Sequence, residues 1–475
     1  MKFNHANGHV VRFDGRAMLL HVPTTALFEL DDLGQAVVDL SQDGSELDRA
    51  GMSARLAERF ARQDVDAFLE RLEQLDILQA PGRTRAVNPN RVKVEAYPLS
   101  TLVLNVNTGC NLGCTYCYKE DLATPARGEK MNFDTASRSV ELLLTQAEER
   151  SRVGIVFFGG EPLTNMPLIR QVVEYAERRG QEQNKLVDFS LTTNATMLTP
   201  EIVDYFNEHR FGISVSIDGP KVIHDRNRRT VGGRGTYDVV ARKVRMLLER
   251  YRAKPVGARV TLTSGTTEVE AIHAHLRGEF GFHEVGYAPV TATEDAGHGL
   301  STQELHAVHA AFERMGEEYR RQALHGRNSG FSNMHQLMTD LHEGRRKALP
   351  CGAGVGLLAV DKDGGLNLCH RFTGSGLPTF GSVQEGIDKP RLSEFLAKAS
   401  DREGTHCETC RIRNLCAGGC YHESYTRYGD PLHRTYHYCD LLRSWVDFGV
   451  AVYTDILAGN PGFFSTHIEP RRALA

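Results

Sequence analysis

Cysteine is missing from most of this 475-residue chain. Residues 1–109 and 118–350 contain none, whereas three of the ten cysteines fall within 110–117 and the other seven within 351–439. Cysteines that serve as small apolar core residues would be scattered through the fold rather than gathered in two groups. The distribution therefore indicates two metal-binding regions.

Long apolar segments and a strong net charge are also missing. No run approaches the roughly twenty apolar residues that span a bilayer, and residues 1–15 lack the apolar core of a secretory signal. The formal net charge of −4 gives no electrostatic reason to expect nucleic acid or an anionic membrane as a partner. We therefore expect a cytoplasmic protein, in which clustered cysteines bind metal rather than pair as disulfides.

The first part of the chain is predicted to be a small α+β domain. Residues 1–80 combine short strands at 9–13 and 18–22 with helices at 25–40, at 53–62 and from Asp64, its predicted N-cap. This pattern suits a winged-helix-like peptide-recognition domain, and it suits a plain packing domain nearly as well. Residues 81–98, which include three prolines, are predicted to be a linker.

Strands and helices alternate from residue 99 onward. Six apolar segments are predicted strands, at 102–106, 153–158, 187–192, 212–217, 258–262 and 284–288, with helices between them at 133–150, 168–179, 200–209 and 237–251. The fold class is therefore α/β, either an open doubly wound sheet or, as we prefer, a partial (β/α)6 TIM-like barrel over 99–323. A helical bridge at 324–350, a cysteine-rich domain at 351–457 and a tail at 458–475 complete the chain.

The first cysteine group has the spacing Cys110-x3-Cys114-x2-Cys117, which does not fit the paired Cys-x2-Cys units of a structural zinc site. Three thiolates can hold three irons of a [4Fe–4S] cluster and leave the fourth iron free, whereas structural clusters normally have four protein ligands. The group follows the first predicted strand, and Gly159–Glu161, Asn194 and Asp218 follow the next three. Chemistry in such folds takes place at these strand ends.

The run Cys110-Asn-Leu-Gly-Cys114-Thr-Tyr116-Cys117, together with the glycine-rich turn one strand later, resembles the signature of the radical SAM superfamily over about residues 100–323. The resemblance implies a cluster whose free iron chelates S-adenosylmethionine, and a 5′-deoxyadenosyl radical released on one-electron reduction. It also implies contacts to that cofactor: Gly159, Gly160 and Glu161 near the methionine amino group, Asn194 and Ser216 near the ribose or methionine portion, Arg228 at the methionine carboxylate, and backbone near Tyr116 at the adenine. The alternatives are a helix cap for Glu161, a turn for Asn194, an exposed face for Arg228 and simple packing for Tyr116.

The remaining seven cysteines resemble a SPASM domain, which holds auxiliary [4Fe–4S] clusters and would bring the total to three. That resemblance implies a distal cluster on Cys407, Cys410, Cys416 and Cys439, and a proximal cluster on Cys351, Cys369 and Cys420. The proximal cluster then lacks a fourth cysteine. Its fourth position is open, taken by His370 or taken by a substrate thiolate, and we favour the thiolate. Two zinc sites are the alternative.

Residues 118–125 and 157–166 resemble those of quinohemoprotein amine dehydrogenase maturation enzymes, which also belong to the SPASM group. This resemblance implies thioether cross-links from Cys to the methylene carbon of Asp or Glu in a small protein, with a flavodoxin or ferredoxin as electron donor. Asp401 is the predicted base that accepts the proton. Formylglycine formation by a sulfatase-type maturase, another SPASM peptide modification, and a non-catalytic iron-sulfur or zinc scaffold that binds peptides are the alternatives.

Overall fold

A computed structural model describes residues 1–43, 47–80, 86–87, 98–118, 128–292, 296–434 and 437–468. Most of the predicted linker at 81–98, residues 119–125 of the segment discussed above and residues 469–475 of the tail lie outside the described residues. Within the described residues, no helix has the length and apolar character needed to cross a membrane.

The N-terminal unit combines a three-stranded antiparallel sheet, a two-stranded ribbon and three helices around its own apolar core. In chain order its elements are β1 (Lys2–Phe3), β2 (Gly8–Phe13), β3 (Arg16–His21), β4 (Ala26–Glu29), α1 (Asp32–Gln42), α2 (Arg49–Leu56), α3 (Arg62–Gln74) and β5 (Leu78–Gln79). Three predictions were wrong here. Residues 26–29 form a strand because they pair with β3, and the helix predicted at 53–62 instead ends at Leu56. Helix α3 begins before Asp64, with Ala61 at its N-cap.

Six parallel strands form the centre of an eight-stranded sheet and lie side by side in chain order. They are β6 (Thr101–Asn107), β7 (Arg152–Gly159), β8 (Leu186–Thr193), β9 (Gly212–Ser216), β10 (Val256–Leu262) and β11 (Glu284–Pro289). The helices that connect them are α4 (Phe133–Gln146), α5 (Met166–Glu182), α6 (Pro200–Glu208), α7 (Lys221–Asn227), α8 (Tyr237–Arg250) and α9 (Val269–His273). All six predicted strands are present, and each is within two residues of its expected ends.

The strand order distinguishes a barrel from a doubly wound sheet. A doubly wound sheet reverses its order at a switch point, whereas β6–β11 never reverse. Right-handed crossovers then place the connecting helices on one face of the sheet, as in a barrel. The sheet ends at β11 on one side and continues past β6 on the other, so the barrel is partial, as predicted.

Successive side chains along each strand point to opposite faces of the sheet, so one face is packed in the core and the other faces the cavity. Phe157 of β7 is fully buried and stacks with Phe189 and Phe211, with ring centroids 5.9–6.2 Å away. The next residue, Phe158, is only half-buried and lines the cavity described below. The strands thus bury one face in the core and leave the other for the site.

The C-terminal half adds two long helices and a cysteine-rich module. Its elements are α10 (Thr302–Leu324), α11 (Ser332–His342), β12 (Leu357–Val360), β13 (Leu366–Asn367), β14 (Gly381–Ser382), β15 (Gly386–Ile387), α12 (Lys389–Ser400), α13 (Arg413–Cys416), α14 (Tyr421–Tyr428), α15 (Cys439–Gly459) and α16 (Gly462–His467). Strand β12 pairs in parallel with β6, and β13 completes the edge of the main sheet. The cysteine-rich module is therefore joined to the barrel through the sheet itself.

Candidate active site

A cavity lies at the carboxyl ends of the parallel strands, and it brings together the first cysteine group and every predicted S-adenosylmethionine contact. Ten predicted residues line it: Cys110, Cys114, Cys117, Tyr116, Gly159, Gly160, Glu161, Asn194, Ser216 and Arg228. They come from separate strand ends, where a parallel barrel gathers its functional groups. The predicted placement at one site therefore agrees with the structure.

The cysteine loop after β6 is held by hydrogen bonds from neighbouring segments. The side chain of Asn107 donates to Gly109 O and accepts from Gly109 N, which shapes the start of the loop. Further along, Thr115 Oγ1 donates to Asn227 Oδ1 at 2.8 Å. Asn194 Nδ2 lies 3.8 Å from Cys110 Sγ and donates to Asn111. These contacts place the three thiols before any metal is considered.

The two glycines of the turn after β7 are required by close backbone packing. A Cβ atom on Gly159 would lie 2.3 Å from Asn107 O, and one on Gly160 would lie 2.0 Å from Gly109 O. Gly160 N also donates to Asn107 O at 2.9 Å. The turn and the cysteine loop therefore interlock through their backbones, a steric reason for both glycines that is independent of any ligand.

Glu161 is buried and joins two strand ends. Its carboxylate accepts hydrogen bonds from Asn194 N, Thr193 Oγ1 and Leu163 N at 2.7–3.1 Å. These bonds favour the charged form, but burial outweighs them and raises the pKa of Glu161 to about 7. The bond to Leu163 N caps the turn Pro162–Asn165, so the helix-cap alternative also describes part of its role.

Arg228 forms a buried ion pair that the sequence did not predict. Its Nε donates to Asp218 Oδ2 at 2.9 Å, and Tyr116 Oη donates to the same oxygen at 2.6 Å. The side chains of Arg228 and Asp218 are 8% and 2% exposed, so the exposed-face alternative is wrong. The guanidinium also lies 5.4 Å from the centre of the Tyr116 ring. Asp218 thus positions both the predicted carboxylate partner and the residue beside the predicted adenine site.

The four thiols assigned to the distal cluster share a second cavity, lined by Cys407, Cys410, Cys416 and Cys439. Burial raises the pKa of Cys407, while the positive charges of Arg434 and Arg402 lower it. Arg413, between Cys410 and Cys416 in the sequence, donates to Ala6 O and Asn7 Oδ1. The adjacent Asn414 donates to Val22 O. The distal site is therefore also where the N-terminal unit is attached.

The other three thiols of the module form a separate group. The pKa of Cys369 is raised to about 11, chiefly by burial and in part by the negative charges of the nearby Cys420 and Cys351 thiolates. The ring of His370 packs against Phe158 of the first cavity, with centroids 4.2 Å apart. Tyr118 connects the two sites as well, because the charges of both Cys117 and Cys369 contribute to the upward shift of its pKa. The three-thiol group therefore borders the first cavity.

Asp401 lines neither cavity and belongs to none of the three thiol groups. It is exposed, it ends helix α12, and its Oδ1 accepts a hydrogen bond from Glu403 N at 3.0 Å. Its role as a base remains a prediction.

Sequence reasoning located one further site residue and missed two. Asp218 was predicted to follow the fourth strand, but its contacts with Arg228 and Tyr116 were not predicted. Arg371 and Thr291 also line the first cavity, but they belong to the cysteine-rich module and the loop after β11. Arg371 follows the predicted ligand Cys369 by two residues, but that position does not indicate that its side chain reaches the first cavity, and no motif surrounds Thr291.

The thiol groups fit iron-sulfur clusters by their donor chemistry. Burial raises the pKa of Cys110 to about 12 and of Cys114 to about 11, so the metal must displace the thiol protons. In the described part of the chain, no three His, Cys, Asp or Glu side chains converge closely enough to hold a single metal ion. A [4Fe–4S] cluster instead takes one thiolate at each iron. The division of the thiols into three, four and three suits one complete and two incomplete clusters.

Comparison with known proteins agrees with this geometry. The chain is 24% identical over 368 residues to a cysteine-type anaerobic sulfatase-maturating enzyme of Clostridium perfringens, covering 74% of this chain and 96% of that protein. A solved structure of native anSMEcpe with bound AdoMet and a peptide has a TM-score of 0.64 and 21% identity, and it covers 77% of this chain and 99% of that one. Streptococcus suis SuiB, bound to its precursor peptide SuiA, has a TM-score of 0.51 and 16% identity over 92% of this chain and 99% of that one.

The match to a family model locates the resemblance within the barrel. Residues 104–276 match the model described as the Radical SAM superfamily, and this segment contains the cysteine loop, the Gly159–Glu161 turn and Arg228. A domain of that superfamily implies one [4Fe–4S] cluster and S-adenosylmethionine. The chain therefore carries a radical SAM domain at residues 104–276, within an α/β fold shared with anSMEcpe and SuiB.

Proposed function

We propose that this protein modifies a small protein or peptide, by forming thioether cross-links between Cys sulfur and the methylene carbon of Asp or Glu. The small subunit of a quinohemoprotein amine dehydrogenase is the proposed type of substrate. Cys110, Cys114 and Cys117 would hold the first cluster, and Gly159–Glu161, Asn194, Ser216, Arg228 and Tyr116 would surround S-adenosylmethionine. When bound, this pair supplies a 5′-deoxyadenosyl radical that removes a hydrogen atom from carbon.

The protein's own residues would position these groups and exclude water. Asp218 holds Arg228 at one wall of the cavity, and Glu161 ties the turn after β7 to Asn194 on the next strand. The half-buried ring of Tyr116 lines the cavity beside the cysteine loop. A preorganised site that excludes water would protect a reactive radical from solvent.

The observation that supports cross-linking is the division of the seven C-terminal cysteines. Four share one cavity, and the other three border the first cavity, which leaves one iron of a proximal cluster without a cysteine ligand. A substrate thiolate at that iron would hold the sulfur near the reacting carbon. Thioether formation removes two electrons and two protons from the substrate. One electron and one proton would leave together as the hydrogen atom taken by the 5′-deoxyadenosyl radical, the other proton would pass to a base, and the second electron would leave through the auxiliary clusters. A flavodoxin or ferredoxin would donate the electron that starts the reaction.

The experiment is reconstitution with three [4Fe–4S] clusters, followed by mass spectrometry of a peptide rich in Cys, Asp and Glu. Each cross-link should lower the peptide mass by two hydrogens and protect one cysteine from alkylation. Free alkylatable cysteine in every product would contradict the proposal. Mössbauer analysis that finds all four irons of the proximal cluster held by protein ligands, without substrate, would contradict the open position.

Formylglycine formation is the second candidate, and the relatives favour it: the Clostridium perfringens enzyme matures sulfatases. That reaction converts a Cys or Ser side chain into an aldehyde. A product that reacts with hydrazide and carries no cross-link would therefore identify it. Either reaction needs a proton acceptor, and Asp401→Asn retaining full turnover would remove Asp401 from that role.

A further inference from the structure

Arg371 links the cysteine-rich module to the first cavity. It lies two residues after Cys369, and its Nη1 donates to Thr291 Oγ1 at 2.7 Å. Its guanidinium carbon lies 4.9 Å from the centre of the Tyr118 ring. All three side chains, Arg371, Thr291 and Tyr118, line the cavity that also contains the first cysteine group. We call these three residues the rim group.

The two cavity arginines differ in their charge balance. Arg228 is paired with Asp218 at 2.9 Å, so its charge is already compensated. Arg371 forms no ion pair with a carboxylate in the described residues. The Tyr118 hydroxyl is likewise buried without a hydrogen-bond partner in that part of the chain. The rim group therefore offers a positive charge and an unused donor on the same wall.

The geometry of the donors selects a ligand class. A guanidinium presents a planar fork that matches a carboxylate through two parallel hydrogen bonds, and Thr291 occupies only one of its nitrogen atoms. A buried donor without an acceptor is unfavourable, so the rim group would gain from a ligand that brings acceptor oxygens. A carboxylate meets both requirements, whereas a neutral amide meets only the second.

We propose that the rim group is a carboxylate subsite that binds the acidic side chain of the substrate residue to be modified. This rests on the proposed cross-linking function. In Asp and in Glu the carboxylate is bonded directly to a methylene group. A single subsite that fixes the carboxylate therefore places that methylene in the cavity for either residue. The rim group also explains how one enzyme accepts acidic side chains of two lengths.

Two other partners for Arg371 are chemically reasonable, and each predicts a different result. The guanidinium could compensate the negative charge of a proximal cluster on Cys369, since it already lowers the pKa of that thiol. It could also bind the methionine carboxylate of S-adenosylmethionine, in place of Arg228. The first role would change the reduction potential of the cluster, and the second would change the affinity for S-adenosylmethionine.

The test measures equilibrium binding of two synthetic peptides to the reconstituted enzyme with S-adenosylmethionine. One peptide carries a single Cys and a single Asp, and the other has Asn in place of that Asp. Wild-type enzyme should bind the Asp peptide at least tenfold more tightly. Arg371→Gln should lose that preference and bind both peptides equally, and Arg371→Lys should retain part of it. Arg346→Gln, at an exposed arginine of the bridge, is the matched control and should keep the full preference.

Three results would overturn the subsite: an undiminished preference for the Asp peptide in Arg371→Gln, a loss of affinity for S-adenosylmethionine with the preference intact, or a shifted cluster potential with the preference intact. Iron content of each variant checks that it is folded and loaded. The proposed function is judged separately, on product mass. An Arg371-dependent preference with an aldehyde product would support the subsite and reject cross-linking. Cross-linking without that preference would support the proposed function and reject the subsite.

Discussion

Replacing Gly160 by alanine tests the claim that the turn after β7 and the cysteine loop are interlocked. The new Cβ would lie 2.0 Å from Gly109 O and 2.3 Å from Gly109 C. The first distance is about 1.4 Å short of ordinary van der Waals contact. Both neighbours are backbone atoms, so no side chain can rotate away. The loop that carries Cys110 must move instead.

The expected cost has a structural and a chemical part. Overpacking of this kind destabilises a fold by roughly 1–3 kcal/mol. A displacement of about 1 Å in a positioned reacting group can lower a rate about 100-fold. We therefore expect Gly160→Ala to stay folded, to lose the first cluster or hold it out of place, and to release 5′-deoxyadenosine at least about 100-fold more slowly.

The assay is anaerobic reconstitution followed by iron analysis and 5′-deoxyadenosine quantification. Loss of the first cluster alone would lower the iron content by about one third if the chain holds three clusters of equal size. Gly278→Ala is the matched control, because no atom lies within 4 Å of its added Cβ. Wild-type iron content together with a release rate within twofold of wild type in Gly160→Ala would refute the interlock.

Three further predictions concern charge and metal. Asp218→Asn removes the partner of buried Arg228 and should lower the free energy of unfolding by about 3–5 kcal/mol, which a lower urea midpoint would show. The control Asp238→Asn, at the exposed pair with Lys221, should change the midpoint little. Equal shifts in the two variants would contradict the importance of the buried pair. The pKa of Glu161 is raised to about 7, so its stabilising contribution is complete below pH 4.5 and is lost as the pH rises through about 7. In curves of unfolding free energy against pH, Glu161→Gln should flatten this decline. Parallel curves for wild type and variant would show that Glu161 does not cause it. Chelating the iron should speed hydrogen exchange at residues 4–25, which contact Arg413 and Asn414, while helix α8 stays protected. Unchanged exchange at residues 4–25 would show that metal at the distal site does not stabilise the attachment of the N-terminal unit.

The barrel was predictable because its signals are local. A strand buried in a parallel sheet appears as an apolar run, and its carboxyl end faces the site. Cys110, Gly159 and Asn194 could therefore be assigned to one site from their positions at strand ends together with the family resemblance. The segment at 26–29 was misassigned because its strand state depends on pairing with β3. Arg371 was missed because it reaches the cavity from a segment more than 250 residues beyond the cysteine loop.

The sheet also limits how this protein can be divided. Strand β6 carries the cysteine loop, and its outer edge pairs with β12 of the C-terminal module, from Thr101 with Leu357 to Leu104 with Val360. A fragment that ends before β12 would expose the backbone of an apolar strand, which is a ready template for aggregation. A fragment limited to residues 104–276, the segment that matches the radical SAM model, would lack this partner strand. The cysteine-rich module thus covers the exposed edge of β6, the strand that carries the cysteine loop.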